Sequence, residues 1–168
     1  MKKIFIGFSD GRNLFSSLIK FATSSKISHC FIGFEETGHN MIFQASGISV
    51  NYENNEHFLT HAKVVDLYSK IITDEEWEHM KCLQLDKLGY YYSYREIVGY
   101  ACVLLCSSIG LKIKNPFYDG DHAYVCVELT LEQLGEEWNG TMTPEQLRNW
   151  CKSNKNFTQE SIDTKVFK

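Results

Sequence analysis

Tyr124-Val125-Cys126-Val127-Glu128-Leu129, read together with Thr23-Ser24-Ser25-Lys26-Ile27-Ser28-His29, decides how this chain is understood. Cys126 falls where the Asp119-Gly120-Asp121-His122 loop gives way to a helical pattern running from Tyr124 to Leu134, and His29 opens an apolar strand. A thiol at a helix start has its pKa drawn down, and an imidazole beside it takes or shares its proton. The pair points to cysteine-dependent acyl transfer more clearly than to any substrate.

Working outward from His29, Ser28–Phe34 and Met41–Ser46 are β-rich runs around Thr37-Gly38, the pattern of a hairpin. A two-residue loop there sets Phe31 opposite Gln44 and His29 diagonal to Gln44 on one sheet face, about 7–8 Å apart, within reach of a long side chain. A slip of one residue would send the two to opposite faces. Gln44 is therefore the candidate third member, the group that orients the imidazole. His122 is the competing base. His39 reads as a turn residue, His57 and His61 as members of a polar loop, and His79 as part of a charged helix face.

The remaining elements follow from period and punctuation. Residues 2–8 form a first strand, and an apolar period at Leu14, Leu18, Phe21 and Ala22 predicts a short helix. Gly47–Tyr52 and Ala62–Tyr68 read as strands. Thr73 with Glu76 is a capping box opening a helix through about Leu85, ended by Gly89. Ile97–Leu111 is uncharged but falls short of the ~20 apolar residues that span a bilayer, so it reads as a buried helix, with peripheral membrane contact as the alternative. Thr143-Pro144 starts a last helix. Residues 161–168 supply an edge strand or fray.

Composition bounds the function. The chain has 168 residues, enough for a single domain over residues 1–168 that buries roughly two-thirds of its unfolded surface. A net charge of -4 with no basic run argues against nucleic acid, which demands clustered Lys and Arg. Six cysteines without a C-x-x-C pair read as reduced thiols in a cytoplasmic protein rather than a disulfide frame, and no cofactor or metal-ligand pattern emerges from them. The apolar run after Lys2-Lys3 is broken at Ser9-Asp10-Gly11-Arg12 before it reaches the length of a signal core.

Several short segments, in order, resemble a known family. They are Phe15-Ser16-x-x-Ile19, Thr23-x-Ser25-x-x-Ser28-His29, Phe43-Gln44-Ala45, Gly89-x-x-Tyr92, the Cys126 stretch and Thr143-Pro144-x-x-Leu147. Together they resemble the circularly permuted NlpC-type branch of the papain-like cysteine hydrolases, from about residue 6 to 150. The resemblance implies an α+β fold with an antiparallel sheet packed against the helix that carries the nucleophile. It implies Cys126 as nucleophile, His29 as base, Gln44 as orienter, Tyr92 as a substrate contact, and the Cys126 backbone N–H as part of an oxyanion hole. Gln44 stands where the family usually has Glu, Val127 where Ser is common, and Ser93 where Asp often follows the Tyr. The expected activity is hydrolysis of an amide, isopeptide or related acyl bond. The rivals are a binding module in which Gln44 marks decayed catalysis and an enzyme that moves lipid acyl chains.

Overall fold

The computed structural model describes residues 1–11, 16–17, 19–20, 25–117, 123–137 and 142–162, except the side chains of residues 100, 101 and 104. Its strands are β1 (Lys2–Gly11), β2 (His29–Glu36), β3 (His39–Ser46), β4 (Ser49–Asn54), β5 (Ala62–Ile72), β6 (Tyr91–Tyr92), β7 (Ala123–Tyr124) and β8 (Thr158–Gln159). The helices are α1 (Asn55–His61), α2 (Asp74–Lys87), α3 (Tyr94–Ser108), α4 (Cys126–Gln133) and α5 (Pro144–Ser153). The strands form one sheet in the order β7-β6-β4-β3-β2-β1-β5-β8, antiparallel except at β6–β7. The α+β expectation holds at that level.

The β2–β3 hairpin turns on Thr37 and Gly38, both at positive φ (50° and 78°), the backbone that lets a two-residue loop match the twist of its strands. That turn pairs Glu36 with His39 and, farther along, Ile32 with Phe43. One step on, Phe31 faces Gln44, so the register read from the loop is the register found. β4 returns from β3 with Ile42 opposite Glu53 and Gln44 opposite Asn51, which sets Glu53 diagonal to Gln44 on the same face.

Alternation divides the apolar residues between two faces. Ile4, Ile6, Phe8, Cys30, Ile32 and Phe43 join residues of α4, α5 and α2 in the larger core. Phe5, Phe31, Ile42, Val64 and Leu67 form the smaller one, closed by Phe58 of α1. Each such side chain contributes roughly 1.5–3 kcal/mol when fully buried. Gly7 lies opposite Phe31, and a Cβ there would sit 2.0 Å from the aromatic ring, so this strand position must remain bare.

Several expectations need correction. Asn54 and Asn55 do not make a turn before a polar loop: the Asn54 side chain accepts from the Glu56 N–H at 2.8 Å and caps α1, which carries His57 and His61. The helix predicted from Tyr124 starts at Cys126, because Ala123 and Tyr124 pair as β7. In the helix expected to be buried over residues 97–111, Ile97 and Gly99 near its start are buried, whereas Val98, Leu105, Ile109 and Leu111 are exposed. Of the helix predicted from Leu14 to Ala22, residues 16, 17, 19 and 20 are helical and the rest lies outside the described residues. The edge strand lies at Thr158–Gln159, before the 161–168 stretch expected to supply it; residues 161 and 162 are not in a strand and 163–168 lie outside that set.

Candidate active site

Cys126 is the first residue of α4, preceded by Val125 as an N-cap that offers no side-chain hydrogen bond. The free N–H groups of that turn and the positive end of the helix dipole therefore surround the thiol. Glu128 in the same turn accepts from the backbone N–H of Val125, and its carboxyl is pushed up to about 8 by burial and by nearby Glu96. A carboxyl that is mostly neutral near pH 7 does not offset the field at Cys126.

Three side chains converge on the thiol, those of Cys30, His29 and Tyr92. Cys30, next to His29 on β2, donates a side-chain hydrogen bond to it, and this is the largest cause of a Cys126 pKa held well below the ordinary thiol value; hydrogen bonding and charge from His29 add to it against the cost of burial. Cys30 itself is pushed well above the ordinary value by burial and by the Cys126 thiolate, so it stays protonated as the donor. Its Sγ also lies 3.5 Å from Thr130 Oγ1, whose hydroxyl donates to the Cys126 carbonyl at 2.8 Å. Tyr92 hydrogen-bonds Cys126 as well; its phenol is pushed up by burial and then by the thiolate charge, so it too remains a donor.

His29 Nε2 and Gln44 Oε1 are 2.8 Å apart, and Gln44 Nε2 donates to Glu53 Oε2 at 2.6 Å. The second contact fixes the amide orientation, since a carboxylate accepts only and must face the NH2 group. The amide oxygen then faces His29, which must carry its proton on Nε2, leaving Nδ1 for Cys126. Burial opposes the charged imidazole, yet the hydrogen bond and charge of Cys126, the Gln44 bond and the Glu53 charge together raise His29 above its ordinary value. A raised imidazole and a lowered thiol both favour placing the shared proton on His29.

A cavity of about 400 Å3 opens over this array, lined by Ser9, Ser28, His29, Gln44, His61 and Tyr92 among others. Cys126 is 5% exposed, and its partners His29 and Tyr92 line the cavity. Among the residues singled out in the sequence, Cys126, His29, Gln44 and Tyr92 are together here. Val127 is buried in the larger core, Ser93 caps α3 by accepting from the Glu96 N–H at 3.4 Å, and His122 lies outside the described residues. Glu53 and Cys30 were missed. The hairpin register, carried one strand further, was the signal that would have found Glu53.

No protein-family model and no curated protein matches the chain. Among solved structures it is similar to the crystal structure of the metalloprotein yiiX from Escherichia coli O157:H7, a DUF1105 protein, with 15% identity, a TM-score of 0.56, and 96% of each chain covered. That likeness concerns the fold. It points to a different family from the NlpC-type one, and the family assignment drawn from the sequence motifs is corrected accordingly. Short motifs of common residue types, Ser-His and Tyr-Val-Cys among them, fit more than one family. Among the described residues no helix is long and apolar enough to cross a membrane.

Proposed function

We propose that the protein is a cysteine hydrolase that cleaves an amide, isopeptide or related acyl bond through a thioester on Cys126. The observation that carries this reading is the series of hydrogen bonds from Cys126 to His29, Gln44 and Glu53, whose middle members, His29 and Gln44, line a cavity. The thiolate adds to the substrate carbonyl, and the oxyanion meets N–H groups of the first turn of α4 with Tyr92 O–H beside them. The tetrahedral intermediate collapses, His29 passes its Nδ1 proton to the leaving amine or alcohol, and the acyl group stays on sulfur. Water then attacks the thioester while His29 takes its proton, releasing the carboxylic acid and the thiolate. Gln44 holds the tautomer; Glu53, bonded to its amide, supplies the negative charge that the amide lacks.

The test is incubation of wild-type protein, Cys126→Ser and His29→Ala with panels of amides and esters, with intact-mass detection of an acyl adduct. Turnover and a Cys126 adduct in the wild type alone support the reading. Absence of turnover with a Cys126 no more reactive than the other thiols would leave the binding-module alternative.

The exposed apolar residues Leu105, Ile109, Leu111 and Ile113, interleaved with Lys112 and Lys114, favour a second reading in which the acyl donor is a lipid met at a membrane surface. Turnover that requires liposomes and falls when Leu105 and Ile109 are changed to Ser would select it.

A further inference from the structure

Glu53 has a second carboxylate oxygen, and it faces away from Gln44. Oε1 meets His57 Nδ1 in a hydrogen-bonded contact and lies 3.7 Å from His61 Nε2. His57 and His61 are four residues apart on α1, so they ride one face of the helix, with ring centroids 5.5 Å apart. The donor atoms of Glu53, His57 and His61 all lie within 4.8 Å of one another. Two imidazoles and one carboxylate are the ligand set of a three-coordinate protein site with a further position open.

We propose that Glu53, His57 and His61 bind a divalent transition-metal ion of the zinc class, through Glu53 Oε1, His57 Nδ1 and His61 Nε2. Tetrahedral coordination at ~2.0–2.2 Å spaces ligand atoms roughly 3.3 Å apart. Reaching it requires His61 to close slightly and the Glu53–His57 contact to open. Both histidine side chains are more than half exposed, whereas Glu53 is largely covered, so the carboxylate is the fixed ligand and the imidazoles adjust to it. Gln44 orients that carboxylate through its other oxygen, the outer-shell support that metal-binding carboxylates ordinarily have. A simple ion pair would need one histidine. Two imidazoles converging on one oxygen, one of them also lining the cavity beside His29, are better explained by an ion between them.

The site shares Glu53 with the proposed catalytic series, through the carboxylate oxygen that Gln44 leaves open, but none of its ligands is a thiol. It is tested by titrating Co2+ into the full-length Cys126→Ser protein and following visible d–d absorption, then displacing Co2+ with Zn2+. The expected result is one ion per chain without a near-ultraviolet sulfur-to-cobalt band. Affinity is expected to drop tenfold or more in His57→Gln and again in His61→Gln, with circular dichroism unchanged in both. A sulfur charge-transfer band, affinity unaltered in both variants, or no saturable binding would overturn the site. Failure of the hydrolase reading would show instead in the reactivity of Cys126 and leave this titration as it is.

Discussion

Gln44 Nε2 donates to Glu53 Oε2 at 2.6 Å, and this bond sets a carboxylate behind the amide that meets His29. An isolated Gln would orient His29 without answering its charge. Backed by Glu53, it relays that charge through a polarised amide, in surroundings where hydrogen bonds strengthen one another. Gln44 is buried, so a lost partner at either end of the amide is costly.

The relay predicts a reciprocal effect. Gln44→Glu alone brings two carboxylates together and forces one to hold a proton, while Glu53→Gln alone removes the charge behind the amide. Each single variant should slow alkylation of Cys126 near neutral pH, and Gln44→Glu should also lower the Tm. The double exchange, Gln44→Glu with Glu53→Gln, should recover more than half of the lost rate. Rates additive in the two changes would mean the residues act independently.

Cys30 gives a second prediction. As the largest contributor to the lowered Cys126 pKa, its thiol is a donor, and Cys30→Ala removes that donor from a dry site. The midpoint of the alkylation-versus-pH curve of Cys126 should move upward in Cys30→Ala and stay closer to wild type in Cys30→Ser. A midpoint unmoved by both would assign Cys30 to packing alone.

Much of this arrangement was legible in the sequence, and the reasons are local. Thr37-Gly38 fixes a hairpin by its backbone requirement, and the hairpin fixes His29 against Gln44. Thr73–Glu76 and Thr143-Pro144 announce helix starts: the first closes as a capping box, and Thr143 caps a helix with Pro144 in its first turn. What escaped depended on distant partners. Glu53 matters only after β4 has paired with β3, and Cys30 only once α4 lies on β2. Asn54 has the chemistry of a turn and of a cap alike, and Phe58 packing into the smaller core decides between them. The apolar run after Ile97 fits a buried helix as well as an exposed one, because hydropathy does not say what covers a surface.

Stability should vary with pH through Glu128. Its folded pKa of about 8 lies above the ordinary carboxyl value of 4.5, so the folded state binds the extra proton between those limits. Stability is therefore highest at the low end of that window and declines as pH rises towards 8. Glu128→Gln should flatten the decline and raise the Tm at pH 8 by a few degrees, read by thermal melts at pH 6 and pH 8. An equal slope in the variant would assign the pH dependence to other groups.

Gly7→Ala probes the smaller core. The added methyl meets the Phe31 ring, and overpacking of this kind costs about 1–3 kcal/mol. For a chain of this size the Tm should fall by roughly 2–4 °C per kcal/mol. Because Phe31 neighbours His29, with ring centroids 6.4 Å apart, a slower Cys126 is expected as well.

The most direct test of the account is the alkylation rate of every cysteine against pH, resolved by peptide mass spectrometry, in the wild type and in His29→Ala. The account predicts that Cys126, though buried, outpaces exposed Cys82 near neutral pH with a small alkylating agent, and that the advantage disappears without His29. Cys126 reacting no faster than Cys82 in both proteins would contradict the paired thiolate and imidazolium on which the proposed chemistry rests.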